Sequence, residues 1–256
     1  MHDIHSIDEL GTILGVWAHP DDETYLSGGL MAAAADNGQR IAVVSATAGE
    51  HGTDDPHTWP PERLARVRRW EAVAAMRVLG VDDHRWLGLG DGTLADHDPI
   101  DGAERIAKVL VDVDPDTIVT FGPDGITGHP DHRTISAWVD EAHRMTGSAA
   151  RVLYATESES HAERFTPLYE RLGMSMDGTS PPVTATRDLA VDIRLSGSAL
   201  DRKLVALRAM ATQTAPTVAA FGIEDYAAWV AQEAFVLSTQ AVPGNRSRPP
   251  RGHGPR

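Results

Sequence analysis

Two short segments of the sequence contain the residue types that bind metal ions and transfer protons. The first is HPDDE, residues 19–23, which places a histidine, two aspartates and a glutamate almost side by side. The second is GHPDH, residues 128–132, with two histidines around an aspartate. Carboxylates at this spacing repel one another, and a bound cation removes that repulsion. Because the chain has no cysteine, histidine and carboxylate side chains must supply the ligands of any metal site.

Each segment alone also fits an ordinary helix start, since aspartate caps helices and acidic side chains are favourable at a helix N-terminus. Two His-Pro-Asp turns that follow different strands of one sheet favour a functional role instead. Catalytic zinc sites use three protein ligands and keep one position open. His19 and Asp22 are candidates for two of these ligands, with a third from the second segment. Asp21 or Glu23 would then act on a water molecule at the metal.

Strand-like and helix-like segments alternate through the first half of the chain and must position these residues. The β-branched runs TILGVWA, RIAVVSATAG and DTIVTFG predict buried strands, and apolar residues recur at helical spacing over residues 62–79. The alternation predicts an α/β fold, a Rossmann-like and mostly parallel sheet with helices on both faces. Ligands bind at the carboxyl ends of the strands in such sheets. We therefore expect the loops HPDDE, TAGEHG, GLGDGTL and GPDGITGHPDH to meet at one edge.

The pattern of alternation weakens after Tyr154. DLAVDIRLSG predicts a strand and SALDRKLVALRAMATQ an amphipathic helix, which together suggest a small C-terminal extension. We expect one domain over residues 1–240, with the motifs in a core of residues 12–155 and the extension over residues 156–240. Residues 241–256 are rich in proline, glycine and arginine, a composition typical of a disordered tail.

Composition excludes several classes of partner. A formal net charge of −14 argues against binding to nucleic acid, where Lys and Arg neutralise phosphates, and against anionic membrane surfaces. No apolar run approaches the roughly 18 residues of a membrane span, and MHDIHSIDELG lacks the features of a secretory signal. No loop carries a full G-x-G-x-x-G dinucleotide fingerprint. The prediction is a cytoplasmic protein with a small-molecule partner; whether it forms a homo-oligomer is left open.

The motifs resemble a known family of enzymes. AHPDDE followed by GG, together with PDGITGHPDH, is similar to the zinc-dependent deacetylases of the LmbE-like or PIG-L group. These enzymes remove acetyl groups from N-acetylglucosaminyl compounds, so the resemblance implies an N-acetylated sugar or glycoconjugate as substrate. It extends over residues 12–155 and implies that His19, Asp22 and His132 bind the metal. Zn²⁺ suits these donors, although Fe²⁺ accepts similar ones.

The resemblance also implies roles for five further residues. Asp21 becomes the general base that takes a proton from the water at the metal. His129 becomes the protonated group that stabilises the tetrahedral oxyanion and assists departure of the amine, and Asp131 orients and charges this histidine. Arg68 and Asp91 match positions that contact sugar hydroxyls in family members.

One position departs from the family pattern. Thr127 stands where enzymes that act on the mycothiol precursor have a tyrosine, and its shorter hydroxyl reaches less far. We still expect amide hydrolysis, but we do not expect the protein to be one of the enzymes that act on the mycothiol precursor. The alternatives are an amidase for a larger N-acyl or thiol-conjugate substrate, a non-catalytic metal- or sugar-binding protein, and a phosphoesterase. Asp21 and His129 argue against a pure binding protein, and a phosphoesterase would favour two metals with bridging carboxylates.

Overall fold

A computed structural model of the chain describes residue 4 and residues 6–172 and 181–239. The strands are β1 (Ile13–Trp17), β2 (Ile41–Thr47), β3 (Asp83–Leu89), β4 (Thr117–Phe121), β5 (Arg151–Ser158), β6 (Val183–Thr184), β7 (Val191–Arg194) and β8 (Gln232–Leu237). The helices are α1 (Asp22–Asp36), α2 (Pro61–Leu79), α3 (Pro99–Val113), α4 (Pro130–Thr146), α5 (Glu159–Leu172), α6 (Gly197–Ala209), α7 (Ala211–Phe221) and α8 (Ile223–Trp229). None of the helices within these ranges combines the length and the apolar character that a membrane crossing needs.

The main sheet has the strand order β3-β2-β1-β4-β5-β8-β7, and β6 pairs with β5 outside this path. The strands β3, β2, β1, β4 and β5 run parallel to their neighbours, whereas β8 is antiparallel to both β5 and β7. Helices cover both faces, with α1 and α2 packed against α6, and α3 packed against α4. The predicted Rossmann-like and mostly parallel sheet is therefore confirmed.

The central strands are buried along their whole length, because helices lie above and below them. Every residue of β1, β2 and β4 is buried, which explains their continuous apolar sequences. Ile13 of β1 is level with Ile41 of β2 on one side and with Thr117 of β4 on the other. In this register the three strands end near one another at their carboxyl edge.

The strand order changes direction between β1 and β4, and this change positions the two motifs. Chain connections leave β1 and β4 toward opposite ends of the sheet, which opens a crevice at the carboxyl ends of these neighbours. α1 follows β1 and α4 follows β4, so the first turns of both helices border that crevice. HPDDE and GHPDH belong to these first turns, as the sequence predicts.

The C-terminal part differs in detail from expectation. The predicted strand in DLAVDIRLSG is β7, and the predicted amphipathic helix is α6. The helix ends at Ala209, where Met210 leaves the helical backbone conformation, and α7 begins directly afterwards. The strand β8 and the helices α5, α7 and α8 were not predicted. The predicted tail over residues 241–256 lies outside the described residues.

Candidate metal centre

The HPDDE segment forms a tight turn at the start of α1. Asp21 has a φ of 104°, a conformation that residues other than glycine rarely adopt. The carboxylate of Glu23 accepts the amide N–H of Asp21 at 3.1 Å, and Nη2 of Arg68 lies 3.4 Å from Oδ2 of Asp21. Asp22 Oδ2 accepts the amide N–H of His19 at 2.8 Å. Strained backbone of this kind persists only where surrounding contacts hold it, and here three side chains do so.

The three predicted metal ligands come together at the crevice. His19 Nδ1 lies 3.2 Å from His132 Nε2 and 3.5 Å from Asp22 Oδ2, and His132 Nε2 lies 3.4 Å from Asp22 Oδ1. Zinc bonds of about 2.1 Å in tetrahedral geometry separate any two ligand atoms by about 3.4 Å. The donor set therefore fits one tetrahedral ion with a fourth position for water or substrate. That these residues bind a metal stays a prediction.

His132 is oriented by contacts on the side away from this triangle. Its Nδ1 donates to the carbonyl of Gly125 at 3.0 Å, which leaves the lone pair of Nε2 directed at His19 and Asp22. Its ring stacks on Phe121 with centroids 4.0 Å apart. Burial lowers the pKa of His132 to about 4, so the ring is neutral, as a metal ligand must be.

His19 is held in the same way, but by carboxylates. Its Nε2 lies 3.0 Å from Asp91 Oδ1 and 3.3 Å from Asp131 Oδ2. Asp131 is itself fixed, because its carboxylate accepts the amide N–H groups of Gly92 at 2.8 Å and Leu94 at 3.1 Å. Carboxylates on the far nitrogen of a ligating histidine set its tautomer and increase its basicity. Asp91 and Asp131 thus direct Nδ1 of His19 at the metal position.

His129 caps α4 and borders the same crevice. Its Nδ1 accepts the amide N–H of Asp131 at 3.1 Å, so its proton resides on Nε2. The rings of His129 and His19 lie 4.8 Å apart. Burial lowers the pKa of His129, and the charge of His19 lowers it further. The sequence predicts a protonated His129 oriented by Asp131, but among the described residues the Asp131 carboxylate bonds to His19 and to backbone amides instead. Both predicted roles remain untested.

The adjacent aspartates have opposite protonation tendencies. Burial and the charge of Asp22 raise the pKa of Asp21 to about 7, although Arg68 opposes the rise. Burial also acts to raise the pKa of Asp22, but His132 and His19 outweigh it and lower the value to about 2. An ionised carboxylate suits a metal ligand, and a carboxyl group that titrates near neutral pH suits a general base. These protonation tendencies support the predicted roles of Asp22 as a metal ligand and of Asp21 as the general base.

Arg68 and Asp91, the predicted sugar-binding residues, are occupied by the protein itself. Arg68 is buried, and its guanidinium donates to the carbonyl of Gly49 at 2.6 Å and to that of Pro20 at 2.6 Å. Asp91 accepts the amide N–H of His51 at 2.8 Å, in addition to its contact with the predicted ligand His19. These contacts join the loop after β2 to the turns after β1 and β3. A direct contact of either residue with substrate stays a prediction.

Three residues near the centre have contacts that the sequence did not indicate. Glu23 holds the strained amide of Asp21, and Glu50 Oε1 accepts the amide N–H of Asp91 at 3.1 Å. Thr127 places its hydroxyl 3.5 Å from Nδ1 of His132, on the side away from the metal position. Residue spacing gives no signal for contacts that join separate loops.

Comparisons with known proteins agree with the geometry. Residues 14–143 match the family model of PIG-L, described as GlcNAc-PI de-N-acetylase. A 1D-myo-inositol 2-acetamido-2-deoxy-alpha-D-glucopyranoside deacetylase from Streptomyces griseus is 31% identical over 244 residues, which covers 79% of this chain and 75% of the relative. A deacetylase of the same name from Kineococcus radiotolerans is 37% identical over 157 residues, which covers 50% of this chain and 44% of the relative. The chain thus spans less than half of the second relative.

Among solved structures, N,N'-diacetylchitobiose deacetylase from Pyrococcus horikoshii superimposes with a TM-score of 0.64. The alignment covers 91% of this chain and 87% of that protein at 20% sequence identity. At this identity the likeness is one of fold, and the chemistry must be argued from the residues in the crevice.

Proposed function

Because the chain belongs to the PIG-L family of de-N-acetylases, we propose that it is a metal-dependent hydrolase that removes the N-acetyl group from an N-acetylglucosaminyl compound. One observation carries the proposal. The donors of His19, Asp22 and His132 lie 3.2–3.5 Å from one another, with Asp21 next to them in a strained turn. The relatives named as deacetylases of an N-acetylglucosaminyl-inositol compound support the substrate class.

The roles of the residues follow from their protonation and position. His19, Asp22 and His132 would hold a metal ion, which would polarise the amide carbonyl and lower the pKa of a water molecule. Asp21 accepts the proton of the attacking water, a contribution worth about 10²–10⁴ in rate. His129 donates from Nε2 to the oxyanion of the tetrahedral intermediate. The C–N bond then breaks, the nitrogen takes up the proton that Asp21 accepted from water, and acetate and a free amine leave.

We also propose that zinc is the native metal, that the partner is a small-molecule N-acetylated sugar, and that the protein is cytoplasmic. Two imidazoles and one carboxylate suit zinc, and Fe²⁺ is the main competitor for such donors. The net charge of −14 supports a substrate that is not a nucleic acid.

The decisive experiment is metal analysis of the purified protein, paired with free-amine detection on a panel of N-acetylated sugars and glycoconjugates. We expect about one metal ion per chain and amine release from N-acetylglucosaminyl compounds. Compounds with longer N-acyl chains belong in the panel, because release from these alone would support the amidase alternative. If the purified protein contains no bound metal and releases no amine from any compound in the panel, the proposal is wrong.

Substitution of Asp21 tests the assignment of the base. In Asp21→Asn we expect unchanged metal content and a fall in kcat of about 10²–10⁴, because the amide cannot accept the proton of water. Metal analysis and kcat are measured on the same preparation. Asp201→Asn, at an exposed position of α6, is the control and should keep wild-type turnover. Full turnover in Asp21→Asn would show that another group is the base.

A further inference from the structure

A second group of buried polar atoms lines a cavity beside the metal centre. The cavity has a volume of about 70 Å³ and lies between α1, the end of β5, β8 and the loop that precedes His132. Its wall includes Leu26, four residues after Asp22 on α1, and Ile126 from that loop. Since four residues span about one helical turn, or roughly 5.4 Å, the cavity is close to the site of the proposed reaction.

The wall includes several polar residues, among them Glu157 and His161. Glu157 Oε1 accepts the hydroxyl of Tyr169 at 2.6 Å, and His161 Nε2 donates to the carbonyl of Trp229 at 2.9 Å. Trp229 in turn donates from Nε1 to the Tyr169 oxygen at 2.8 Å. Two side chains and one carbonyl thus fix one atom of the carboxylate and one atom of the imidazole.

The remaining atom of each group is directed at the other. Glu157 Oε2 lies 3.5 Å from His161 Nδ1, and neither atom has a hydrogen-bond partner among the described residues. The two side chains are only 13% and 10% exposed. With the imidazole proton on Nε2, both facing atoms are acceptors. Two buried acceptors in this arrangement are costly unless a donor satisfies them.

The cavity is selective in charge, size and shape. An anionic group would be repelled by Glu157, and an ammonium would bring three N–H donors to two acceptors. The side chains of Tyr25, Leu26 and Trp229 offer apolar surface to a carbon skeleton. A cavity of this volume has room for a group of a few non-hydrogen atoms.

We propose that this cavity is a subsite for a hydroxyl group on the aglycone of the substrate, with Glu157 Oε2 and His161 Nδ1 as acceptors. The inference rests on the proposed deacetylation of an N-acetylglucosaminyl compound. The subsite implies that the aglycone carries a short arm with a hydroxyl group. Residues in the C-terminal half of the chain would recognise this arm.

Three glycosides of N-acetylglucosamine test the subsite: the methyl, the 2-hydroxyethyl and the 2-methoxyethyl glycoside. In the last compound a methyl group removes the hydrogen-bond donor and also enlarges the arm, and the variants described below separate these two effects. We expect kcat/KM of the wild type to be about tenfold higher for the hydroxyethyl than for the methoxyethyl compound, because the donor meets a charged acceptor. Equal kcat/KM values for these two compounds would overturn the subsite and leave the proposed deacetylation standing, since all three would be hydrolysed.

Variants of Glu157 and His161 then test whether these two residues cause the preference for the hydroxyethyl glycoside. In Glu157→Gln, and independently in His161→Gln, we expect the hydroxyethyl preference to fall below about threefold, because a neutral or displaced acceptor bonds the hydroxyl more weakly. The ratio is measured within each variant, so a general loss of activity does not affect it. Glu163→Gln, at an exposed position of α5, is the matched control and should keep the wild-type ratio. A tenfold preference that persists in both variants places the hydroxyl elsewhere. No hydrolysis of any glycoside refutes the proposed function and this inference with it.

Discussion

Asp21 and Asp22 are neighbours in the sequence with different environments in the fold. Asp22 lies between two imidazoles, and its pKa falls to about 2 because their attraction outweighs burial. Asp21 faces Arg68 and the carboxylate of Glu23, and burial raises its pKa to about 7. A positive φ at Asp21 turns the two side chains away from a common helical path. One strained residue thus separates a ligand position from a base position.

Asp131 provides a test between two roles at the residue scale. Its carboxylate contacts Nε2 of His19, so in Asp131→Asn we expect metal affinity to fall about 10–100-fold. The measurement is competition for Zn²⁺ against a chromophoric chelator. Glu141→Gln, on the outer side of the same helix, should bind metal as the wild type does. Unchanged affinity with a reduced kcat would instead favour the role predicted from sequence, in which Asp131 acts through His129.

At the scale of elements, α1 is held at its middle as well as at its first turn. Lys203 of α6 and Glu233 of β8 form an ion pair at 2.7 Å in which neither side chain is exposed. Glu233 accepts the amide N–H groups of Gly29 at 2.6 Å and Leu30 at 2.8 Å, and Lys203 donates to the carbonyl of Tyr25 at 2.7 Å. The C-terminal segment therefore fixes the helix that begins at the proposed base and carries one proposed ligand.

The ion pair should be important for stability. In Glu233→Gln we expect the free energy of unfolding to fall by about 3–5 kcal/mol, because the substitution leaves the Lys203 ammonium buried without its counter-charge. Urea unfolding at neutral pH measures the change. Asp36→Asn removes an exposed ion pair with Arg202 between α1 and α6, and its cost should stay within about 1 kcal/mol. Equal effects in the two variants would contradict the importance of burial.

The glycine pair that follows AHPDDE is explained by the approach of the same C-terminal segment. A Cβ on Gly29 would lie 2.6 Å from both methyl groups of Leu195, whereas one on Gly28 would lie no closer than 3.4 Å to Lys203. We expect Gly29→Ala to destabilise the protein by about 1–2 kcal/mol through overpacking. Gly28→Ala should be neutral or gain up to about 1 kcal/mol from helix propensity. Urea unfolding compares them, and Leu195→Ala should relieve the cost in Gly29→Ala; no relief would show that another contact is responsible.

At the scale of the whole molecule, the two halves share one sheet. The strand β8 pairs with β5 of the motif-bearing half and with β7 of the extension, and Glu233 of β8 bonds directly to α1. Loss of the C-terminal segment would therefore open the main sheet beside β5 and release the middle of α1. The candidate metal centre is therefore connected to residues that are distant from it in sequence.

Global stability should depend on pH through His84, which lies on β3 away from the crevice. Burial and the nearby Arg69 lower the pKa of His84 from 6.5 to about 4. Between these values the unfolded chain binds the proton and the folded protein does not, so stability falls as pH decreases from about 6.5 to about 4. Full expression of this pKa difference would cost about 3 kcal/mol.

The variant His84→Gln isolates this contribution. Its loss of stability between pH 7 and pH 4 should be about 2–3 kcal/mol smaller than that of the wild type, since glutamine does not titrate. Urea unfolding at both pH values gives the difference, in which all other titrating groups cancel. Parallel pH profiles for the two proteins would show that His84 titrates normally in the fold.

The sequence by itself determined the elements of the first half and the identity of the motif residues. Strands β1, β2 and β4 are continuous apolar runs, and α2 shows helical periodicity, so short-range patterns are sufficient to find them. His19, Asp22 and an unspecified third ligand in GHPDH could also be predicted from the sequence, because the carboxyl ends of neighbouring parallel strands must meet. The choice of His132 as the third ligand came from the family resemblance. The assignment of Asp21 as the general base also came from the family resemblance.

Only the tertiary structure decided the contacts between segments that are distant in the chain. The carboxylate of Asp131 contacts His19, Arg68 holds the Asp21 turn, and Glu233 bonds to α1 across 204 positions of sequence. These outcomes depend on strand order and helix packing, which residue spacing does not encode. Burial then sets the protonation of each group, since the same side chain titrates differently in water and beside a buried charge.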